Sequence, residues 1–100
     1  MALGWLWSWW RRRSLEHVRV VLFTRQGCHL CEDAEEVLRT EQQRSRFVLS
    51  VYDVDSDPSW VAEYGEWVPV VTVNGRVRFR GRVNAVLLGR LLRAEARRQE

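Results

Sequence analysis

The chain has 100 residues, enough for one domain but too few for two independent hydrophobic cores. All 16 basic residues are arginine, which excludes chemistry that needs a lysine amine. The net charge of +3 comes from Arg11, Arg12 and Arg13, and the other 13 arginines are balanced by 13 acidic residues, so no basic face for nucleic acid is expected.

The first 14 residues differ in composition from the rest of the chain. Residues 1–13 contain four of the six tryptophans and three consecutive arginines. Their apolar stretch is shorter than the roughly 20 residues of a membrane-spanning helix. The three arginines follow the apolar stretch, whereas a secretory signal has its positive charge before the apolar stretch. We expect residues 1–14 to be a disordered leader and residues 15–100 to form the domain. Contact of residues 1–13 with a membrane surface through the indole rings is the alternative that we disfavour.

The first half of the domain has the pattern of a strand, a helix and a second strand. Residues 18–23 are a short β-branched apolar run, typical of a strand covered on both faces. From Cys28 to about Arg44, apolar residues recur at helical spacing, and acidic residues stand in the first turns, where the helix dipole favours them. Residues 47–54 are predicted to form the second strand, parallel to the first because a helix connects the two.

A short helix is predicted after the second strand. Asp57 followed by Pro58 is typical of a helix N-cap with proline at the first helical position, and the helix should end near Tyr64. The three acids Asp53, Asp55 and Asp57 could suggest a cation site. We disfavour such a site because of the directions in which side chains point at the end of a strand. We interpret these three acids as turn caps.

The last third of the chain predicts a hairpin and a final helix. Residues 70–73 and 76–80 flank Asn74 and Gly75, the strongest two-residue hairpin signal, so these strands are antiparallel. Asn84 is placed to cap the final helix. The order β-α-β-α-β-β-α predicts an α/β thioredoxin fold, a four-stranded mixed sheet flanked by helices.

The only two cysteines are Cys28 and Cys31, too close in sequence to connect distant segments of a secreted scaffold. This spacing favours a reducing compartment, although a periplasmic dithiol oxidant would also need only two cysteines, and we expect the cytoplasm. A C-x-x-C pair is also half of a structural zinc site, but such a site needs four ligands. Since His17 and His29 are the only histidines, we expect no metal site.

Cys28 is the candidate nucleophile. It falls where the first strand joins its helix, so unpaired N–H groups and the helix dipole favour a thiolate, which a free thiol with a pKa near 8.5 rarely forms at neutral pH. Arg25 and His29 are close in sequence and add positive charge. Cys31 lies one helical turn further on, where it can attack a mixed disulfide formed on Cys28, so we assign it as the resolving thiol.

Three separate segments, residues 23–31, 53–58 and 64–71, together resemble the bacterial glutaredoxin-like proteins of the thioredoxin superfamily. The resemblance spans residues 18–95. It implies a cis peptide bond before Pro69, at a turn that faces the cysteine pair, and it implies that Val68 offers its backbone to an extended disulfide substrate. Trp67, next to this turn, is a candidate floor for the substrate groove.

The chain departs from the glutaredoxin pattern at two places. His29 and Leu30 stand between the cysteines where glutaredoxins usually have Pro-Tyr, and residues 80–84 read Arg-Gly-Arg-Val-Asn where glutaredoxins have Gly-Gly-x-x-Asp. Asn84 can cap a helix and hydrogen-bond a carboxylate, although a neutral amide does not replace every function of an aspartate. Because the second departure falls in the stretch that grips glutathione in glutaredoxins, glutathione is only a candidate co-substrate. No cofactor is required.

Four arginines alternate with other residues along the predicted last strand. They are Arg76, Arg78, Arg80 and Arg82. Simple alternation places them on one face, as a ladder that either steers acidic partners or protects an edge strand against aggregation, and we favour protection.

We predict a thiol-disulfide oxidoreductase, either a glutaredoxin-like electron donor or a protein disulfide reductase, with Cys28 and Cys31 as the catalytic pair. The predicted substrate-binding residues are Arg25, His29, Trp67, Val68, Pro69 and Asn84. The expected partner of this monomer is a disulfide-containing protein or a glutathione mixed disulfide. The alternative is a non-catalytic thioredoxin-fold module that senses redox state or carries metal, tethered to a membrane by the leader.

Overall fold

The structure, a computed structural model, describes residues 15–98, and the predicted leader lies outside the described residues. The elements in chain order are β1 (Arg19–Thr24), α1 (His29–Ser45), β2 (Val48–Asp53), a 3₁₀ turn (Val54–Ser56), α2 (Pro58–Tyr64), β3 (Val70–Val73), β4 (Arg76–Arg80) and α3 (Ala85–Arg98). The predicted order is confirmed, and the 3₁₀ turn is the one element of the described residues that was not predicted.

The four strands form one mixed sheet in the order β2-β1-β3-β4. β1 runs parallel to β2 and antiparallel to β3, and β3 runs antiparallel to β4. The central position of β1 explains its nearly continuous apolar sequence, because a central strand covered on both sides has few exposed positions.

The main core lies on the face of the sheet covered by α1 and α3. Val20 and Leu22 of β1 pair with Val73 and Val71 of β3, and all four side chains are buried there. The helices contribute further buried apolar residues to this cluster, namely Ala34, Leu38, Leu88 and Leu92. The opposite face is covered differently, since Phe23 packs there against aromatic rings that include Trp60 and Tyr64 of α2.

The predicted caps of the later helices are confirmed. Asp57 caps α2 by accepting a 2.8 Å hydrogen bond from the Ser59 N–H, and Pro58 occupies the first helical turn. Asn84 accepts a 3.0 Å hydrogen bond from the Leu87 N–H at the start of α3. These side chains supply acceptors that the first turn of a helix lacks.

The hairpin between β3 and β4 forms as predicted, with positive φ at both turn residues, 49° at Asn74 and 84° at Gly75. The register, however, shifts between Val71, which pairs with Phe79, and Thr72, which pairs with Val77, so Arg78 is an additional residue in β4.

The predicted single-face ladder of arginines is therefore wrong. Arg76 pairs with Val73 and Arg80 pairs with Val70, and residues three apart on a strand point to opposite faces. Because of the bulge, Arg80 and Arg76 therefore lie on opposite faces of the sheet. β4 is nevertheless an edge strand of the sheet, as the protective interpretation requires.

Within residues 15–98 no helix is long and apolar enough to cross a membrane. The alternative of membrane contact through residues 1–13 falls outside the described residues.

Candidate functional site: the cysteine pair and the cis-proline turn

The cysteine pair lies at the N-terminal end of α1. Cys28 is the N-cap of the helix, and Cys31 is in its first turn, with the two Cα atoms 5.2 Å apart and the two sulfur atoms joined as a disulfide. Cys28 is half-buried, whereas Cys31 is only 2 % exposed. A substrate arriving from solvent therefore reaches the sulfur of Cys28 first.

The backbone around Cys28 directs donors toward its sulfur. The N–H of Cys31 donates a hydrogen bond to Cys28 Sγ at 3.2 Å. A tight turn leads into the helix, and the Cys28 N–H closes it by donating to the carbonyl of Arg25 at 3.3 Å. Gly27 in this turn has a φ of 74°, a conformation that glycine adopts readily. Since the Cys31 N–H belongs to the first turn of α1, it has no carbonyl partner within the helix, and its hydrogen bond to Cys28 Sγ stabilises a negative charge on that sulfur.

Arg25 connects this turn to two other segments. Its Nε and Nη2 donate to the carboxylate of Asp55 at 2.9 and 3.0 Å, and its Nη1 donates to the carbonyl of Gly65 at 2.9 Å. The hydrogen bond with Asp55 raises the pKa of Arg25, and the same bond lowers the pKa of Asp55. The guanidinium thus fixes the turn before Cys28 to the 3₁₀ turn and to the segment that precedes Val68.

Asp55 differs in role from its two neighbours. Asp53 caps the 3₁₀ turn by accepting the Asp55 N–H at 2.9 Å, and Asp57 caps α2, so the turn-cap interpretation is confirmed for both. Asp55 instead binds Arg25, a pairing that sequence reasoning missed because the two residues are 30 positions apart.

The Val68–Pro69 peptide bond is cis, as predicted. The pairing of Phe23 with Val70 places this turn at the same end of the sheet as the segment that leads to Cys28. Within the described part of the chain, the backbone N–H and C=O of Val68 form no hydrogen bond, whereas the carbonyl of Pro69 accepts the Gly81 N–H at 2.8 Å. Val68 therefore offers unpaired backbone groups at the end of the sheet where the segment leading to Cys28 also lies.

The other predicted substrate-binding residues lie around this end of the fold. Trp67 is 51 % exposed, and the guanidinium carbon of Arg80 lies 5.4 Å from the centre of its ring. His29 is exposed, with Nδ1 3.7 Å from Oε2 of Glu32. Asn84 uses its side-chain oxygen as the cap of α3. The substrate contacts assigned to these residues stay predictions.

A model of the glutaredoxin-like domain family (DUF836) matches residues 19–93. The chain belongs to this family. The match includes both cysteines, the cis-proline turn and most of α3, so the resemblance inferred from three short segments is confirmed.

Solved structures resemble this glutaredoxin-like domain along most of its length. The Northeast Structural Genomics target XcR50 from X. campestris is 29 % identical with a TM-score of 0.63, and the match covers 75 % of this chain and 96 % of that one. Protein Ne2328 from Nitrosomonas europaea is 28 % identical with a TM-score of 0.65, over 74 % of this chain and 89 % of that one. A mutant thioredoxin from Halobacterium salinarum NRC-1, 22 % identical with a TM-score of 0.64 over 82 % and 77 % of the two chains, confirms the thioredoxin-like fold.

An aromatic cluster packs between β1 and α2 of this glutaredoxin-like domain. The ring of Phe23, near the end of β1, lies 4.5 Å from that of Tyr64 and 5.3 Å from that of Trp60, and Trp60 stacks on Tyr52 at 5.2 Å. Trp60 is half-buried in this cluster. Burial raises the pKa of Tyr64, and Glu63 adds to the shift. The cluster anchors α2, and with it the chain that leads to Val68.

Cys31 also borders a cleft of about 420 Å³. The cleft is lined on one side by the turn before Cys28 and on the other by the carboxylates of Glu32, Glu35 and Asp53. The residue predicted as the resolving thiol thus borders a cleft that three acidic side chains also line.

The two histidines do not join the cysteines in a common cluster. His17 lines a separate cavity of about 340 Å³ together with Asn74, Arg76, Glu95 and Arg98. Among the residues that the structure describes, no three His, Cys, Asp or Glu side chains gather as metal ligands. The absence of a metal requirement stays a prediction.

Proposed function

We propose that this glutaredoxin-like domain is a thiol-disulfide oxidoreductase in which Cys28 attacks and Cys31 resolves. The proposal depends above all on the hydrogen bond from the Cys31 N–H to the accessible sulfur of Cys28 at the start of α1. A donor in this position stabilises the thiolate, which is the nucleophile of thiol-disulfide exchange.

The reaction transfers two electrons from the dithiol to the substrate. The Cys28 thiolate attacks one sulfur of a substrate disulfide, forming a mixed disulfide and releasing the other substrate sulfur as a thiolate, which takes up a proton. Cys31 then loses its proton and attacks Cys28 Sγ, so that the second substrate thiolate leaves and the Cys28–Cys31 disulfide remains. The carboxylate-lined cleft beside Cys31 provides a route for its proton.

A thiol reductant must return the pair to the dithiol state. Either a dithiol or two molecules of a monothiol such as glutathione supplies the two electrons by the reverse exchange. No metal or organic cofactor takes part. We propose that the domain acts as a monomer in the cytoplasm, on a disulfide-containing protein or a glutathione mixed disulfide.

The substrate is held by the surface around the cis-proline turn. Val68 has the unpaired N–H and C=O that an extended peptide needs for backbone pairing, and Pro69 shapes the turn. Trp67 forms an exposed apolar floor beside them. We propose that His29 and Asn84 contact polar groups of the substrate, and that Arg25 supports the site by positioning the Cys28 turn.

Trapping tests this proposal against the non-catalytic alternative. The reduced full-length chain is mixed with a peptide disulfide, and the products are weighed by mass spectrometry. We expect the wild type to release free peptide thiol and become oxidised, and Cys31→Ser to accumulate a mixed disulfide on Cys28 because the second step is blocked. Cys28→Ser is the matched control and should trap far less peptide. If Cys28→Ser traps as much as Cys31→Ser, or if the wild type consumes no disulfide, the proposal is wrong.

A further inference from the structure

We propose that Arg80 and Arg82 form a basic lip that selects disulfide substrates with acidic residues next to the reacting cysteine. The inference rests on the proposed oxidoreductase function and adds the class of substrate. It concerns two of the four arginines that the predicted ladder had grouped, now separated from the others by the bulge in β4.

The first step is the position of the basic lip. Arg80 is the last residue of β4 and pairs with Val70, the first residue of β3. The Gly81 N–H then donates to the carbonyl of Pro69 at 2.8 Å, which holds the segment between the two arginines against the cis-proline turn. Because β4 is the edge of the sheet, no further strand of residues 15–98 covers this segment.

The second step is the orientation of Arg80. Its guanidinium lies over the ring of Trp67, 5.4 Å from the ring centre, on the residue that precedes Val68. The face of an aromatic ring attracts a cation without neutralising its charge. Arg80 is therefore held beside the backbone groups proposed to pair with substrate, and its charge stays available.

The third step is the charge balance around the site. Within residues 15–98 no carboxylate lies within 4.0 Å of the guanidinium of Arg80 or Arg82, whereas Arg25 is paired with Asp55. The two acidic residues that precede the cis-proline turn, Glu63 and Glu66, are exposed, and Glu63 and Arg80 both act electrostatically on Tyr64. On the other side of the cysteines, the exposed surface of α1 is acidic, with Glu32, Asp33 and Glu36.

The site is thus bounded by an acidic helix on one side and the basic lip on the other. A peptide that pairs with Val68 passes next to the lip, so carboxylates beside its cysteine gain an attraction that neutral or basic side chains lack. A pair of exposed charges contributes a factor of about 2 to 5 in rate or affinity. We expect preference of this size for each acidic residue that reaches the lip.

The test uses three peptide disulfides that differ only in the residues flanking cysteine, which are Glu, Gln or Lys. Their reduction by the reduced full-length wild type is followed by stopped flow, and kcat/KM should fall in the order Glu, Gln, Lys. The spread should shrink between ionic strengths of about 10 mM and about 1 M, where the screening length falls from about 30 Å to about 3 Å.

Charge variants connect this order to the basic lip. The double variant Arg80→Gln, Arg82→Gln should lose the preference, and Arg80→Glu, Arg82→Glu should reverse it. The matched control for the glutamate variant is Arg44→Glu, Arg97→Glu, which makes the same change in net charge at the far ends of α1 and α3 and should keep the wild-type order.

If the lip variants rank the peptides as the wild type does, or if the control alters the order equally, the selection by Arg80 and Arg82 is refuted while reduction of the Gln peptide still supports the proposed function. If the wild type reduces none of the three peptides, the proposed function itself is refuted, and the inference with it.

Discussion

Arg25 binds Asp55 with two parallel hydrogen bonds, Nε to Oδ2 at 2.9 Å and Nη2 to Oδ1 at 3.0 Å. This geometry matches the planar fork of a guanidinium to a carboxylate. A third donor of Arg25 holds the carbonyl of Gly65. Three segments that meet at the site, the turn before Cys28, the 3₁₀ turn and the approach to Val68, thus share one side chain.

We predict that Asp55→Asn lowers stability at neutral pH and that the loss diminishes in acid. The Arg25 hydrogen bond lowers the pKa of Asp55 below its ordinary 3.8, so the carboxylate is favoured in the folded state. This contribution is fully present above the pKa of the unfolded chain, and it disappears as pH falls through the lowered folded pKa. Urea unfolding of wild type and variant from neutral pH to below 3.8 should show two curves that converge.

The control for this prediction is Glu36→Gln, which removes one negative charge from the exposed surface of α1 and leaves the Arg25 pair intact. It reports the effect of net charge alone. A difference from wild type that follows pH in the same way for both variants would show that the Arg25 pair is not its source.

We predict that Cys28 reacts with iodoacetamide at a lower pH than an ordinary thiol. Cys31→Ser leaves Cys28 as the only thiol and keeps the backbone N–H that donates to its sulfur, so the thiolate remains stabilised. The midpoint of the alkylation rate against pH should lie below about 8.5.

The companion measurement uses Cys28→Ser, in which Cys31 is the only thiol. Because Cys31 is 2 % exposed, its alkylation should be slower than that of Cys28 at every pH. An ordinary or higher midpoint for Cys28, or faster alkylation of Cys31, would contradict the assignment of attacking and resolving thiols.

Local signals in the sequence were sufficient for the order of the helices and strands, although not for the 3₁₀ turn. Asp57 before Pro58, and Asn74 before Gly75, determine a helix start and a hairpin turn by the conformations that those residues themselves prefer. The same holds for Cys28 at the join of strand and helix. Each of these features depends on neighbours within a few residues, which is why the pattern predicts them.

The features that could not be predicted depend on residues far apart in the chain. The partner of Arg25 is 30 positions away, and Phe23 stacks on a tyrosine 41 positions later. The bulge at Arg78 depends on the register with β3, and simple alternation gives no sign of it. For the same reason the sequence did not show that Arg76 and Arg80 point to opposite faces, which only the register reveals.

We predict opposite results for two adjacent leucines in the first turn of α3. Leu88 is fully buried in the core, and Leu88→Ala should cost about 2–5 kcal/mol of unfolding free energy by leaving a cavity. Leu87 is 51 % exposed, and Leu87→Ala should change stability by no more than about 0.5 kcal/mol. Both substitutions change helix propensity equally, so urea titrations with unchanged slope isolate burial. Equal losses for the two variants would contradict the orientation of α3.

The last prediction concerns Asn74, which combines a left-handed backbone with two side-chain hydrogen bonds. Its φ is 49°, its Oδ1 accepts the Arg19 N–H at 2.9 Å, and its Nδ2 donates to Oε2 of Glu95 at 3.2 Å. Glu95 is only 9 % exposed, so its carboxylate depends on the few partners it has.

We expect Asn74→Gly and Asn74→Ala to separate these two roles. Asn74→Gly keeps the backbone conformation and loses both hydrogen bonds, which should cost about 1–3 kcal/mol. Asn74→Ala loses the same bonds and must also hold a side chain in the left-handed region, which should add about 1–2 kcal/mol. Urea unfolding at neutral pH measures both. If Asn74→Ala is as stable as Asn74→Gly, the turn does not depend on the left-handed conformation, because alanine would then have restored a less strained backbone.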